Sequence, residues 1–199
     1  MSTSNAQRSV AKTRPYRLGK RADRQQETRL RIVEAAIELH SSIGPARTTV
    51  ARIAERAGVQ RHTYYAHFPE ERDLMMACSG LSLERDPLPD PEAWLALPKG
   101  RDRLRQGLGE LYGWFARNES MAACVLRDVE VHQPTREIVD LRMRPTFERV
   151  SEVLAEGLNA SAKALLHVAL DFSCWRTLRS ADQGADPAEI MSGAIAALD

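Results

Sequence analysis

Long apolar runs are missing from this chain. The longest, Ala164 to Trp175, is broken by His167 and Asp171 and falls short of the roughly 18–20 residues that cross a bilayer, so no membrane partner is expected. The N-terminus is polar and basic, with Val10 and Leu18 as isolated apolar positions. It lacks the hydrophobic core of a secretory signal, which points to the cytoplasm. Cysteine is scarce and odd in number: Cys78, Cys124 and Cys174 are far apart and outside any CxxC spacing, which argues against a disulfide framework or a zinc site. Reduced thiols and no metal are expected. Valine and isoleucine together number 18 against 48 alanines and leucines, a balance that disfavours a large sheet and favours helices, where straight-chain side chains lose little rotamer freedom. Apolar residues still make up 43% of the 199, enough to exclude gross disorder.

A net charge of +1 hides an asymmetry. Residues 1–72 carry 14 Lys and Arg against 7 Asp and Glu, whereas residues 73–199 carry 14 against 20. A basic first third suits a polyanion, because each phosphate neutralised by a cationic side chain releases condensed counterions. Residues 1–23 hold Arg8, Lys12, Arg14, Arg17, Lys20 and Arg21 against Asp23, with Pro15 and Gly19 and no apolar period. They read as a flexible arm, either a solubilising tail or one that folds onto nucleic acid.

From Asp23 to Ser41, Leu30, Val33, Ala36, Ile37 and His40 recur at three- and four-residue intervals, the pattern of one amphipathic helix. Gly44 and Pro45 stop it. A second helix starts at Thr48, an N-cap candidate, and ends at Gly58. A third runs from Val59 and Gln60 to Phe68, before Pro69. Two helices of about two turns joined at one glycine are the plan of a helix-turn-helix. Ile53, Ala54, Val59 and Tyr64 are expected in its core. That leaves Arg61, Thr63, Tyr65, Ala66 and His67 outside, as a basic, hydroxyl-rich face suited to a DNA groove.

Arg29, Ile32, Val33, Ala35, Ala36, Leu39, Gly44, Thr48, Thr49, Ile53, Ala54, Ala57, Gly58, Val59, Thr63, Tyr65, Phe68 and Leu74 together resemble the DNA-binding signature of the tetracycline-repressor (TetR) family. The resemblance implies an all-α homodimer with two parts. Its N-terminal three-helix domain would bind double-stranded DNA at a palindromic operator, and its C-terminal helical domain would serve ligand binding and dimerisation. A small apolar or amphipathic inducer and a nucleoid-associated location follow from it, with no cofactor expected. No Ser-His-Asp order, phosphate loop or paired-carboxylate motif stands out, so no enzymatic activity is expected. Residues 24–80 and 81–199 are the expected domains. The DNA-binding candidates are Thr48, Thr49, Arg61, His62, Thr63, Tyr65, Ala66 and His67: Arg61 for guanine, Ala66 for a thymine methyl, and Thr48, Thr63, Tyr65 and His67 for phosphates. His62 stands where the family usually has Gly or Pro, and Tyr64 where it has an aliphatic residue. Glu71 replaces a Lys that commonly touches phosphate, with Arg72 as its candidate substitute. A constitutive or architectural DNA-binding protein without a ligand is the alternative.

Further helices are expected over Glu70–Leu83, Arg101–Arg117 and Met121–His132. A helix from Pro134 follows, in which Pro145 marks either a kink or a restart. One further helix is expected over Ser161–Arg179, with a last helix opened by Asp186 and Pro187. The stripe Ile190, Met191, Ala194, Ile195 and Leu198, with Trp175, forms either the dimer interface or the subunit's own core. Trp114, off the main stripe of its helix, leads the pocket candidates, with Tyr112, Phe147 and Phe172. His132 and His167 are either polar contacts in that pocket or hydrogen-bonded structure.

Overall fold

The computed structural model describes residues 15–181 and 184–199, the first six by backbone alone, and among these residues it contains helices and no strand. Helix α1 (Pro15–Ser42), α2 (Val50–Ala57), α3 (Arg61–His67) and the first half of α4 (Glu71–Arg85) surround one core, built on Ile32, Val33, Ala36, Ile53, Tyr64, Phe68, Leu74 and Cys78. A second core is held by α5 (Arg101–Arg117), α6 (Glu119–Val129), α8 (Arg144–Leu154), α9 (Ala160–Ala169), α10 (Phe172–Ala181) and α11 (Pro187–Leu198), with α7 (Gln133–Arg142) packed on α4, α6 and α8. Its centre is Leu104, Leu108, Leu111, Phe115, Leu154, Leu166, Trp175 and Ile195. Position 80, the expected domain boundary, falls inside α4: Cys78 and Leu81 pack on the first core and Leu83 on the second.

Several local expectations need correction. Helix α1 starts at Pro15 rather than Asp23, because Pro suits a first turn and the Arg, Lys, Gln and Ala that follow propagate a nucleated helix at little cost. The part of the expected arm that holds Arg8, Lys12 and Arg14 lies outside the described residues. Thr49, not Thr48, caps α2 by accepting from the Arg52 amide. Helix α6 begins two residues early and ends at Val129. Pro145 marks a restart, since α7 and α8 are separate helices. The single helix expected over Ser161–Arg179 is two, because Asp171 turns its carboxylate onto the Ser173 and Cys174 amides at 2.7 and 3.2 Å and so opens α10.

The segment Asp86–Pro91 leads into a 3-10 turn, Pro91–Ala96. This turn buries Trp94, which is 1% exposed and donates to Glu110 at 2.9 Å. No helix of the described chain is long and apolar enough to cross a membrane.

Candidate nucleic-acid interface and ligand cavity

Gly58 joins α2 to α3 in the left-handed region, at φ 64°, where a side chain would be strained. The turn lets Ile53, Ala54, Ala57 and Tyr64 close over α1, with Val59 half-buried against them. Tyr64 fills the aliphatic position with its ring edge-on to Tyr65, centroids 5.3 Å apart, and burial raises its phenol pKa to about 12. The remaining face of α3 is open: Arg61, His62, Tyr65 and Ala66 are exposed, and Thr63 and His67 are half-buried. Among the described residues neither Arg61 nor Arg72 has an acidic partner, whereas Glu71 turns to the second domain, 3.4 Å from His132 Nε2. Thr48 spends its hydroxyl proton on the Gly44 carbonyl at 2.8 Å. The exposed Thr49 only accepts, which leaves its own proton free.

Between the two cores lies a cavity of about 390 Å³. Its walls are apolar: Met75 and Cys78 from α4, Trp114 and Phe115 from α5, Met121 and Val125 from α6, Ile138 from α7, Phe147 from α8 and Phe172 at the start of α10. Of the ligand candidates, Trp114, Phe147 and Phe172 line this cavity. Tyr112 does not, because it is 4% exposed in the second core and its hydroxyl donates to the Ala169 carbonyl at 2.8 Å. His132 and His167 are absent from the wall as well. His132 is held by the Thr135 hydroxyl at 2.8 Å, and His167 is exposed on α9.

Polar groups at the cavity are mostly engaged. Asp86 receives Arg117 and Asn118, and the Arg117 bond holds its carboxyl below the usual range. His40, from the far end of α1, lines the cavity too. Sequence periodicity had counted it as an apolar position of the helix. Only its lack of a local partner, visible in three dimensions, reveals it as a polar group in the wall.

Beside the cavity α6 docks on the turn after α1. Asp128, 2% exposed, accepts from the Ala46 amide at 2.9 Å and from its neighbour Arg127 at 2.8 Å, and Arg127 donates to the Ile43 carbonyl. Burial by itself would raise the Asp128 pKa, but Arg127 and the Ala46 amide outweigh it and hold the pKa below the usual carboxylate value. Gly44 makes the approach possible. Its φ is +92°, and a Cβ there would lie 2.3 Å from the Asp128 carboxylate.

The dimer stripe divides. Trp175, Met191 and Ile195 are 2%, 7% and 0% exposed inside this subunit's core, because α11 lies along α5 and α9. They cannot be an interface as well, which corrects that assignment. Ile190, Ala194 and Leu198, four residues apart, remain exposed.

Residues 32–78 match the family model described as bacterial regulatory proteins, tetR family. The regulator TtgR of Pseudomonas putida is 50% identical over 52 residues, 26% of this chain and 25% of that protein. The match thus spans a quarter of that relative's length. Among solved structures, a mutant of HlyIIR superposes with TM-score 0.62 at 15% identity, covering 86% of this chain and 98% of that one. FadR of Bacillus subtilis, crystallised with stearoyl-CoA, gives TM-score 0.53 at 19% identity over 85% of this chain and 96% of its own. These two likenesses speak to the fold.

Proposed function

We propose, on the premise that this chain belongs to the tetR family of bacterial regulatory proteins, that it is a homodimeric repressor released from a palindromic operator by a small apolar or amphipathic molecule. One observation carries the reading: the cavity is walled partly by His40, Met75 and Cys78, residues of the two helices that hold α3 in place. A molecule that fits the cavity better when α1 and α4 have shifted moves the spacing of two recognition helices, and it does so only to the extent that it binds the two states differently. FadR, which shares this fold, was crystallised in complex with stearoyl-CoA.

On the DNA side, Arg61 stands in the first turn of α3, exposed and without an acidic partner among the described residues, and reaches guanine O6 and N7 with two bonds. Ala66 meets a thymine methyl. Thr49, Thr63, Tyr65, His67 and the unpaired Arg72 hold phosphates, and His62 lies beside them on the same open face. With its proton committed to Gly44, Thr48 serves the turn. A second copy packs against Ile190, Ala194 and Leu198, with Val168 exposed on the adjoining α9.

The test is selection from random duplex DNA followed by binding titrations. A palindromic consensus is expected, and Arg61→Ala should cost about 1–3 kcal/mol and relax preference at one position of each half-site. Tyr65→Phe should weaken all sequences alike. No sequence preference and no affinity at low salt would overturn the assignment.

A further inference from the structure

His40 is 7% exposed, lines the cavity, and has no hydrogen-bond partner among the described residues. No fully buried side-chain nitrogen or oxygen lacks a partner there, so the unbonded ring nitrogens of His40 keep accessible surface, and the residue lines the cavity. An accessible ring nitrogen with no bond inside the chain is open to a hydrogen bond from whatever fills the space. From this geometry we infer that His40 is the polar anchor of the ligand, and that the ligand is a neutral, largely aromatic molecule carrying a hydroxyl group. The inference deepens the ligand-released reading above and rests on it.

The chemistry follows from what surrounds the group. Burial first, then the neighbouring His132, push the His40 pKa down to about 4, with Asp128 opposing, so the ring is neutral near pH 7. It therefore offers one N–H donor and one nitrogen acceptor, and a hydroxyl, which also donates and accepts, complements either tautomer. Charged ligands are poorly served. Asp86 is engaged by Arg117 and Asn118, Asp140 by Arg144, and Asp171 by the amides of α10, so no lining carboxylate is left free for a cation. The one lining cation without an ionic partner among the described residues, Arg142, is exposed at the surface, where water screens its charge. Thr135, the other polar lining residue that is more than nine-tenths buried, is already bonded to His132. The remaining wall, Trp114, Phe115, Phe147 and Phe172, with ring centroids 5.4 to 6.3 Å apart where Phe115 meets the others, accepts flat aromatic surface.

Because His40 belongs to α1, a hydroxyl bonded to it ties the ligand to the DNA-binding domain itself. The experiment titrates the full chain by calorimetry with 4-hydroxybiphenyl, biphenyl and biphenyl-4-carboxylate, using wild type, His40→Phe and His40→Gln. In wild type the phenol should bind about tenfold tighter than biphenyl, with the carboxylate weakest. The preference should vanish in His40→Phe and largely survive in His40→Gln, whose amide keeps a donor and an acceptor. Should His40→Phe fail to fold, the wild-type series and the Gln variant still decide. Equal binding of phenol and biphenyl, or tightest binding of the carboxylate, would overturn the inference while leaving the cavity as a ligand site. Binding of none of the three would overturn both.

Discussion

An Ile195→Asp variant is expected to unfold the second domain, not simply to separate two subunits. Ile195 is completely buried in its own chain, on the side of α11 that lies along α5 and α9. Removing a buried Ile side chain costs about 2–5 kcal/mol, and an unpaired carboxylate in its place adds a desolvation penalty. Against a total stability of roughly 5–15 kcal/mol for a domain, that is enough to lose cooperative melting. Ile190→Asp, five residues away and 41% exposed, is expected to leave helicity in place and, on the proposed interface, shift the sedimenting species from dimer to monomer, with specific DNA affinity falling. Circular dichroism melts and sedimentation of the two variants give the answer. An Ile195→Asp protein that melts like wild type would contradict the packing of α11, and an Ile190→Asp protein that stays dimeric would remove the proposed interface.

Asp128→Ala is expected to cost about 1–3 kcal/mol, because it leaves the part-buried Ala46 amide without its acceptor and takes from the half-exposed Arg127 the carboxylate it pairs with. The loss should fall on the seam between α6 and the turn after α1, so hydrogen exchange should speed up at Ile43 to Ala46 while α3 keeps its helix. Acid acts on the same seam in two steps. His40, with its folded pKa near 4 and an ordinary value of 6.5, contributes fully above pH 6.5, and the contribution fades as pH falls toward 4. It is worth about 3 kcal/mol at roughly 1.4 kcal/mol per unit. Asp128, whose folded pKa lies below 3.8, contributes above that value and loses its share only below it. Chemical denaturation measured from pH 7 to pH 4 should show the first loss in wild type and not in His40→Gln. An unchanged slope between the two would exclude His40 as its source.

Some of this was readable without coordinates. The limits of α5, Arg101 to Arg117, follow from the spacing of Leu104, Leu108, Leu111 and Phe115 and the Pro-Lys-Gly break before them. The turn at Gly58 follows from one glycine between two short amphipathic stretches. Trp114 was recognisable as a cavity residue because it leaves the main stripe of its helix. Other features were not readable for definite reasons. Thr48 and Thr49 are equal cap candidates by type, and only their bonds separate them: Thr49 accepts from the Arg52 amide while Thr48 donates to Gly44. The break at Asp171 is hidden because the apolar positions continue through it. Trp94 lies in a proline-flanked turn where no periodicity marks a buried ring.

What the sequence determined by itself was local: helix against strand, the helix-turn-helix with its open face on α3, and a basic first third suited to a polyanion. These depend on side-chain type at fixed spacing along one element, where neighbours three and four residues apart decide the outcome. What the tertiary structure decided was the choice of partner. Met191, Ile195 and Trp175 form an apolar pattern that serves equally well against a second subunit or against α5, and burial inside one chain settled it. His40 falls on an apolar stripe and so reads as core. Its position at the seam of two domains leaves its ring facing a cavity instead, because hydrophobic burial has no direction while a hydrogen-bonding group has a partner or lacks one.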